Sequence, residues 1–313
     1  MRVGLSLLGA LALACAAPAA AQSSPEDEEK CWDTGEAFAP EEQVASCTAL
    51  LEADGVLEED RPYLIAMRGW SYHKLGDLEH ALADYTEKVR LQPEAADGYG
   101  WRGSVYLDQE DYPQALEDYS QAIRLATDDV DLPVWYQDRG TARHFLEDYQ
   151  GAIADYTAAL EAGGENAGVL LLRGYVYFDL KDYARAIEDY TQAINLAPDE
   201  ASNWNDRCWT RAVWGRQLVE ALDDCNEALA IDPMNYDAYD SRGLVHLRNG
   251  AWTDALVDYQ SSLDIEPSAS SNFGSGVALK RLGRADEAEE AFAAATELDP
   301  AIAETYAAFG ITP

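Results

Sequence analysis

The dipeptide Arg-Gly returns along this chain at nearly constant intervals, and that periodicity restricts the fold before any local structure is considered. It stands at Arg68-Gly69, Arg102-Gly103, Arg139-Gly140, Arg173-Gly174 and Arg242-Gly243, with Arg207-Cys208 and Ser275-Gly276 in the same slot. The copies thus follow one another with a period of roughly 34 residues. Twelve positions beyond the Gly comes Ala81, Ala115, Ala152, Ala186, Ala255 or Ala288, and sixteen beyond it Tyr85, Tyr119, Tyr156, Tyr190, Tyr259 or Phe292. Pro93, Pro198, Pro267 and Pro300 follow twenty-four positions after it, while the fifth copy reaches Ala221 and Pro233 after one inserted residue. Self-similarity at such a period marks units that bury their apolar faces only by stacking on one another.

Each copy reads as a helical hairpin. In residues 96–126, Tyr99, Gly103, Tyr106 and Leu107 recur at steps of three and four. After a polar break at Gln109 to Asp111, Ala115, Leu116, Tyr119, Ala122 and Ile123 do the same. Gly103 and Ala115 are expected where the two helices approach most closely, and the Pro at the end of a copy stops its second helix. Stacked hairpins of this kind give an elongated all-α solenoid.

Composition sets the function classes. With 58 acidic against 22 basic residues, the formal charge of −36 repels nucleic acid and anionic lipid. The chain opens on Met1 and Arg2, an apolar run from Val3 to Ala14 and Ala19-Ala20-Ala21, the form of a cleaved export signal over residues 1–21. The run is too short to span a bilayer, so a membrane anchor is not expected. Leu13-Ala14-Cys15 also resembles a bacterial lipoprotein site, in which Cys15 would be lipidated, although Ala12 stands where that pattern wants Leu. Beyond Cys15 four cysteines remain, compatible with two disulfides in three connectivities; the short spacings favour Cys31 with Cys47 and Cys208 with Cys225.

These repeats resemble the tetratricopeptide repeat. The resemblance covers seven copies (62–95, 96–129, 133–166, 167–200, 201–235, 236–268 and 269–302), and Ala167 to Glu200 matches at nearly every signature slot. It departs where Cys208 replaces the Gly, where Cys225 replaces the Tyr, and where three extra residues stand around Val130 to Leu132. Residues 22–61 form an N-terminal segment whose helix at 41–53 can cap the front of the stack, and residues 301–313 can cap the rear. The Cys47 segment resembles the N-terminal part of exported bacterial tetratricopeptide proteins. The resemblance implies a right-handed superhelical solenoid of antiparallel helix pairs, with first helices lining a concave groove that holds proteins or peptides.

A second regularity joins charges. Asp stands sixteen positions after the repeated Arg, giving Arg68 with Asp84, Arg102 with Asp118, Arg139 with Asp155, Arg173 with Asp189 and Arg242 with Asp258. The fifth copy offers Arg207 with Asp223 or Asp224, and the seventh, with Ser275 and Ala291, has lost both members together. Joint loss points to a structural ion pair, because one charge left buried alone is costly.

Function is sought on the first helices. One residue after the Gly slot stand Trp70, Tyr175 and Trp209, and four after it His73, His144 and Phe178, with Phe145 next in line. Trp70, His73, Phe145, Tyr175, Phe178 and Trp209 are the candidate partner-binding residues, since clustered aromatics anchor interfaces. The alternative is that they pack against neighbouring first helices. Ala66, Gly100 and Leu171 occupy the slot where peptide-clamping relatives carry Lys and Asn, so a carboxylate clamp is not supported. His73, His80, His144 and His246 accompany no catalytic or metal motif, and Asp128-Asp129 with Asp131 lacks the Gly and distal Glu of a calcium loop. The expectation is a non-catalytic scaffold without cofactor, exported and periplasmic, that binds a protein or peptide with a basic segment. A self-associating structural repeat protein is the alternative.

Overall fold

In the computed structural model, residues 24–33, 35, 37–53, 56–126 and 130–313 are described, and every regular element among them is a helix. The export segment 1–21, Cys15 and the loop positions Asp128 and Asp129 lie outside the described residues. Two units divide the chain, Met1–Ala126 and Thr127–Pro313. No described helix is long and apolar enough to cross a membrane.

The first unit opens with α1 (Pro25–Cys31) and α2 (Pro40–Glu52), followed by the hairpins α3 (Arg61–Lys74) with α4 (Leu78–Leu91) and α5 (Ala96–Asp108) with α6 (Tyr112–Leu125). The second carries α7 (Leu132–Phe145) with α8 (Tyr149–Gly163), α9 (Ala167–Asp179) with α10 (Tyr183–Leu196) and α11 (Ala201–Trp214) with α12 (Leu218–Ile231). It continues with α13 (Tyr236–Arg248) and α14 (Trp252–Ile265), α15 (Ala269–Arg281) and α16 (Ala285–Leu298), and ends on α17 (Ile302–Ala308). Within each unit a helix packs on its chain neighbours, and first helices also touch the next first helix, as α11 touches α13.

Local chemistry starts the second helix in the first four hairpins. The carboxylate of Asp77, Asp111, Asp148 or Asp182 accepts the backbone N–H three residues on, starting the second helix of its copy. The residue before that Asp has positive φ: Gly76 at 74°, but Glu110 at 59°, Glu147 at 61° and Lys181 at 59°. In α10, Ala186, Ile187, Tyr190, Ala193 and Ile194 form one buried stripe at helical spacing. The helix stops at Leu196, two residues before Pro198.

The recurrent glycine leaves room for a ring of the opposite helix. Gly103 faces the ring of Tyr119, and a Cβ on Gly174 would come within 2.5 Å of the Tyr190 ring. At Gly103 the atoms nearest to an added Cβ belong to Tyr119, so the glycine makes room for a fully buried tyrosine on the opposite helix, which the expectation of a close approach at Gly103 and Ala115 does not name. Each such ring contributes on the order of 2 kcal/mol of burial. Phe292 takes the same place against Gly276. In the fifth copy a disulfide occupies it, joining Cys208 on α11 to Cys225 on α12 with Cα atoms 5.5 Å apart. Cys31 and Cys47 join α1 to α2 at 4.9 Å, beside Leu50, Leu64 and Ile65. At the other end, Ile302 and Tyr306 of α17 are buried in the last hydrophobic cluster.

Candidate partner-binding site

Paired charges fix the rotation of the first helix in the first six copies. Arg102 Nε and Nη2 donate to Asp118 at 2.7 Å each, and Arg68–Asp84, Arg139–Asp155, Arg173–Asp189 and Arg242–Asp258 repeat this two-point contact at 2.6–2.9 Å. In the fifth copy Arg207 takes Asp224 rather than Asp223, at 3.0 and 2.7 Å. The carboxylates are all buried. Arg173, Arg207 and Arg242 extend a further donor to Thr157, Thr191 and Asn226 on the preceding second helix, at 3.0, 3.0 and 2.8 Å. Each of these three guanidinium groups therefore ties three helices, and the residues one and four positions beyond the Gly slot are turned away from it.

The candidate residues separate by unit. In the first, Trp70 is half-buried with Lys74 Nζ 4.3 Å from its ring centre, and His73 Nε2 lies 2.6 Å from Asp108 Oδ2 on α5. In the second, Phe145 is 61% exposed and packs beside His144, which meets Asp179 at 2.6 Å. Tyr175 is 39% exposed; its hydroxyl donates to Asp206 Oδ2 at 2.6 Å while its ring rests 5.8 Å from that of Tyr190. Phe178 is half-buried, edge-on to Tyr183 at 5.5 Å. Trp209 is half-buried too, and it is covered from within the chain: the Phe309 ring meets it edge-on at 5.7 Å. Arg248 holds that arrangement by donating to the carbonyls of Ala212, Val213 and Phe309.

An acidic patch beside Tyr175 completes the site. Burial pushes the Asp206 carboxyl up to about 6, and nearby Asp237 adds to the effect. Asp237 is itself raised by burial. The Arg-paired carboxylates owe their place to a guanidinium, whereas Asp206 is held by a tyrosine hydroxyl and so presents acceptor capacity to a cation. The face can therefore hold aromatic or aliphatic side chains at Phe145 and Tyr175 and a basic group at Asp206.

The general tetratricopeptide repeat model matches residues 66–130 and 138–201, and a second such model matches 269–302. The chain is a tetratricopeptide repeat protein. Solved structures agree on the fold. A tetratricopeptide repeat protein from Parabacteroides merdae ATCC 43184 superposes with a TM-score of 0.63 at 18% identity, over 80% of this chain and 99% of its own. The Cut9–Hcn1 hetero-tetramer of APC/C gives 0.57 at 16%, over 80% and 50%. YrrB, described as a tetratricopeptide repeat protein with an unusual peptide-binding site, gives 0.50 at 23%, over 58% and 92%. No curated protein matches the sequence.

Two parts of the site in this tetratricopeptide repeat protein escape a reading of the sequence. Asp206 lies two residues before the Cys208 slot, outside the signature positions; an Asp with no Arg sixteen positions before it is the signal that could find it. Phe309 falls in the rear cap, but nothing in a repeat pattern says which first helix that cap reaches.

Proposed function

We propose that this tetratricopeptide repeat protein is a non-catalytic scaffold, and that the first-helix face of α7, α9 and α11 binds a protein or peptide segment bearing basic and apolar side chains. The observation that carries this reading is Tyr175, a 39% exposed aromatic hydrogen-bonded to a carboxylate that burial holds at about 6. An aromatic surface with an under-neutralised acid beside it is complementary to a cationic, partly apolar segment. The charge of −36 speeds encounter with such a segment. YrrB is described as carrying a peptide-binding site on the same fold. Trp70 and His73 of the first unit enter the proposal only as a separate contact.

Export to the bacterial envelope is part of the proposal. Its supports are the apolar start of the chain and the bonded pairs Cys31–Cys47 and Cys208–Cys225, which suit an oxidising compartment. Fractionation of cells expressing the chain with and without residues 1–21 tests it: the intact chain is expected in the periplasm, and cytoplasmic retention of both forms sinks it.

The binding test uses the native partner captured from the envelope. Tyr175→Ala and Phe145→Ala are expected to raise its dissociation rate about tenfold with helical content unchanged, and added salt to slow association. If both variants bind with wild-type kinetics, the face is wrongly assigned.

A further inference from the structure

In the sixth copy the seam between successive hairpins is filled by Arg242, which lies against the Tyr239 ring at 5.5 Å, pairs with Asp258 and reaches Asn226. The seventh copy has Asn272, Ser275 and Ala291 in place of the aromatic, the guanidinium and the carboxylate, and Gln260 in place of Asn226. A cavity of about 550 Å³ opens there between α14, α15 and α16. Ser275 lines it, is 5% exposed, and its hydroxyl has no hydrogen-bond partner among the described residues. Leu256, Leu263 and Leu279 give apolar walls, while Glu290 and Gln260 supply acceptors. Arg284, also at the rim, is already paired with Glu287.

We propose that this cavity receives an arginine side chain from a basic partner segment. Its methylene stem packs on the three leucines, and its guanidinium meets the Ser275 hydroxyl, the Gln260 carbonyl and the Glu290 carboxylate. Three arguments select arginine. A guanidinium fills the same seam in the preceding copies, so the dimensions fit. A planar group with five donors satisfies several acceptors at once, which an ammonium does not match and an aliphatic chain leaves unpaired. The surrounding charge of the chain is negative, which favours a cation at every approach distance short of screening. This surface shares no residue with the face around Tyr175, so either assignment can fail without the other.

The test is a titration of the oxidised full chain, with leucine methyls labelled for NMR, using Nα-acetyl-arginine N-methylamide as the probe. Saturable shifts are expected at the Leu256 and Leu279 methyls, with the neutral citrulline analogue binding at least about tenfold more weakly. Ser275→Arg combined with Ala291→Asp supplies the chain's own pair, and the probe's affinity is expected to fall at least about tenfold. If that pair of changes does not fold, Ala291→Met fills the cavity with an uncharged side chain and the same loss is expected. Unmoved leucine methyls, equal binding of citrulline, or binding untouched by either filled variant overturns the proposal.

Discussion

Cys225 sits where Tyr119, Tyr156 and Tyr190 stand in other copies, and its sulfur is bonded to Cys208, which takes the place of the glycine those rings require. The covalent bond thus replaces a packing contact rather than adding to one. Both cysteines are fully buried. Closing a loop of 17 residues stabilises by about 3 kcal/mol in the chain-entropy account. Cys208→Ala with Cys225→Ala should therefore cost about that much in urea unfolding of the oxidised protein, with a further loss from the space left open. Cys208→Gly with Cys225→Tyr should recover more than half of it, because the ring again fills the site. A Gly/Tyr variant no more stable than the Ala/Ala one would show that the fifth copy has lost the shape of the others.

The arginine clamps predict a non-additive result. Asp118 is 5% exposed and depends on Arg102 for two hydrogen bonds of 2.7 Å. Arg102→Ser leaves a buried carboxylate without its cation, and a loss of about 3–5 kcal/mol is expected. Adding Asp118→Ala recreates the combination that the seventh copy carries as Ser275 and Ala291, and it should return at least about 1 kcal/mol of the loss. Equilibrium unfolding of the two single variants and the double variant closes the cycle, and simple additivity sinks the idea.

The clamps and the hairpin order are legible in the sequence, because each rests on a spacing repeated several times; that the Gly slot receives the ring of the Tyr slot is seen only in the structure. The choice between Asp223 and Asp224 is not legible either. It depends on where the fifth copy accommodates its extra residue, and α11 does so by running one residue further past Cys208 before its turn. The candidate site is legible only as a set of aromatics. Which stay exposed is decided by single, unrepeated contacts: Phe309 over Trp209, from the far end of the chain, and Asp206 under the Tyr175 hydroxyl, from the next copy. A pattern that holds in every copy carries no information about a contact made once.

Acid should stabilise the second unit through Asp240. Its carboxylate is 8% exposed, accepts from Ser270 and Ser271 at 2.7 and 2.6 Å, and is pushed up to about 6 by burial. The folded chain then binds this proton more tightly than the unfolded chain, where an aspartate titrates near 4. Stability is lowest above pH 6, rises as pH falls through 6, and gains nothing more from this group below about 4. Asp240→Asn removes the charge and keeps a hydrogen-bonding amide, so it should raise stability at pH 7.5 by on the order of 2 kcal/mol and have little effect near pH 4. Urea midpoints at the two pH values check this, and equal effects at both contradict it.

The turns offer a test that isolates backbone conformation. Gly76, Glu110, Glu147 and Lys181 hold the same place ahead of their capping aspartates and share a left-handed φ of 59–74°, yet only the first is a glycine. A side chain at Gly76 would touch nothing within 4 Å, so packing does not explain the choice. What differs is the strain of an L-residue in this region, about 1 kcal/mol, partly offset by the greater freedom of glycine in the unfolded chain. Glu110→Gly, Glu147→Gly and Lys181→Gly should each stabilise by about 0.5 kcal/mol, and Gly76→Ala should destabilise by about the same amount. Thermal unfolding of the four variants reads the sign directly. If the three replacements by glycine lower the melting temperature, those side chains make surface contacts worth more than the strain they impose.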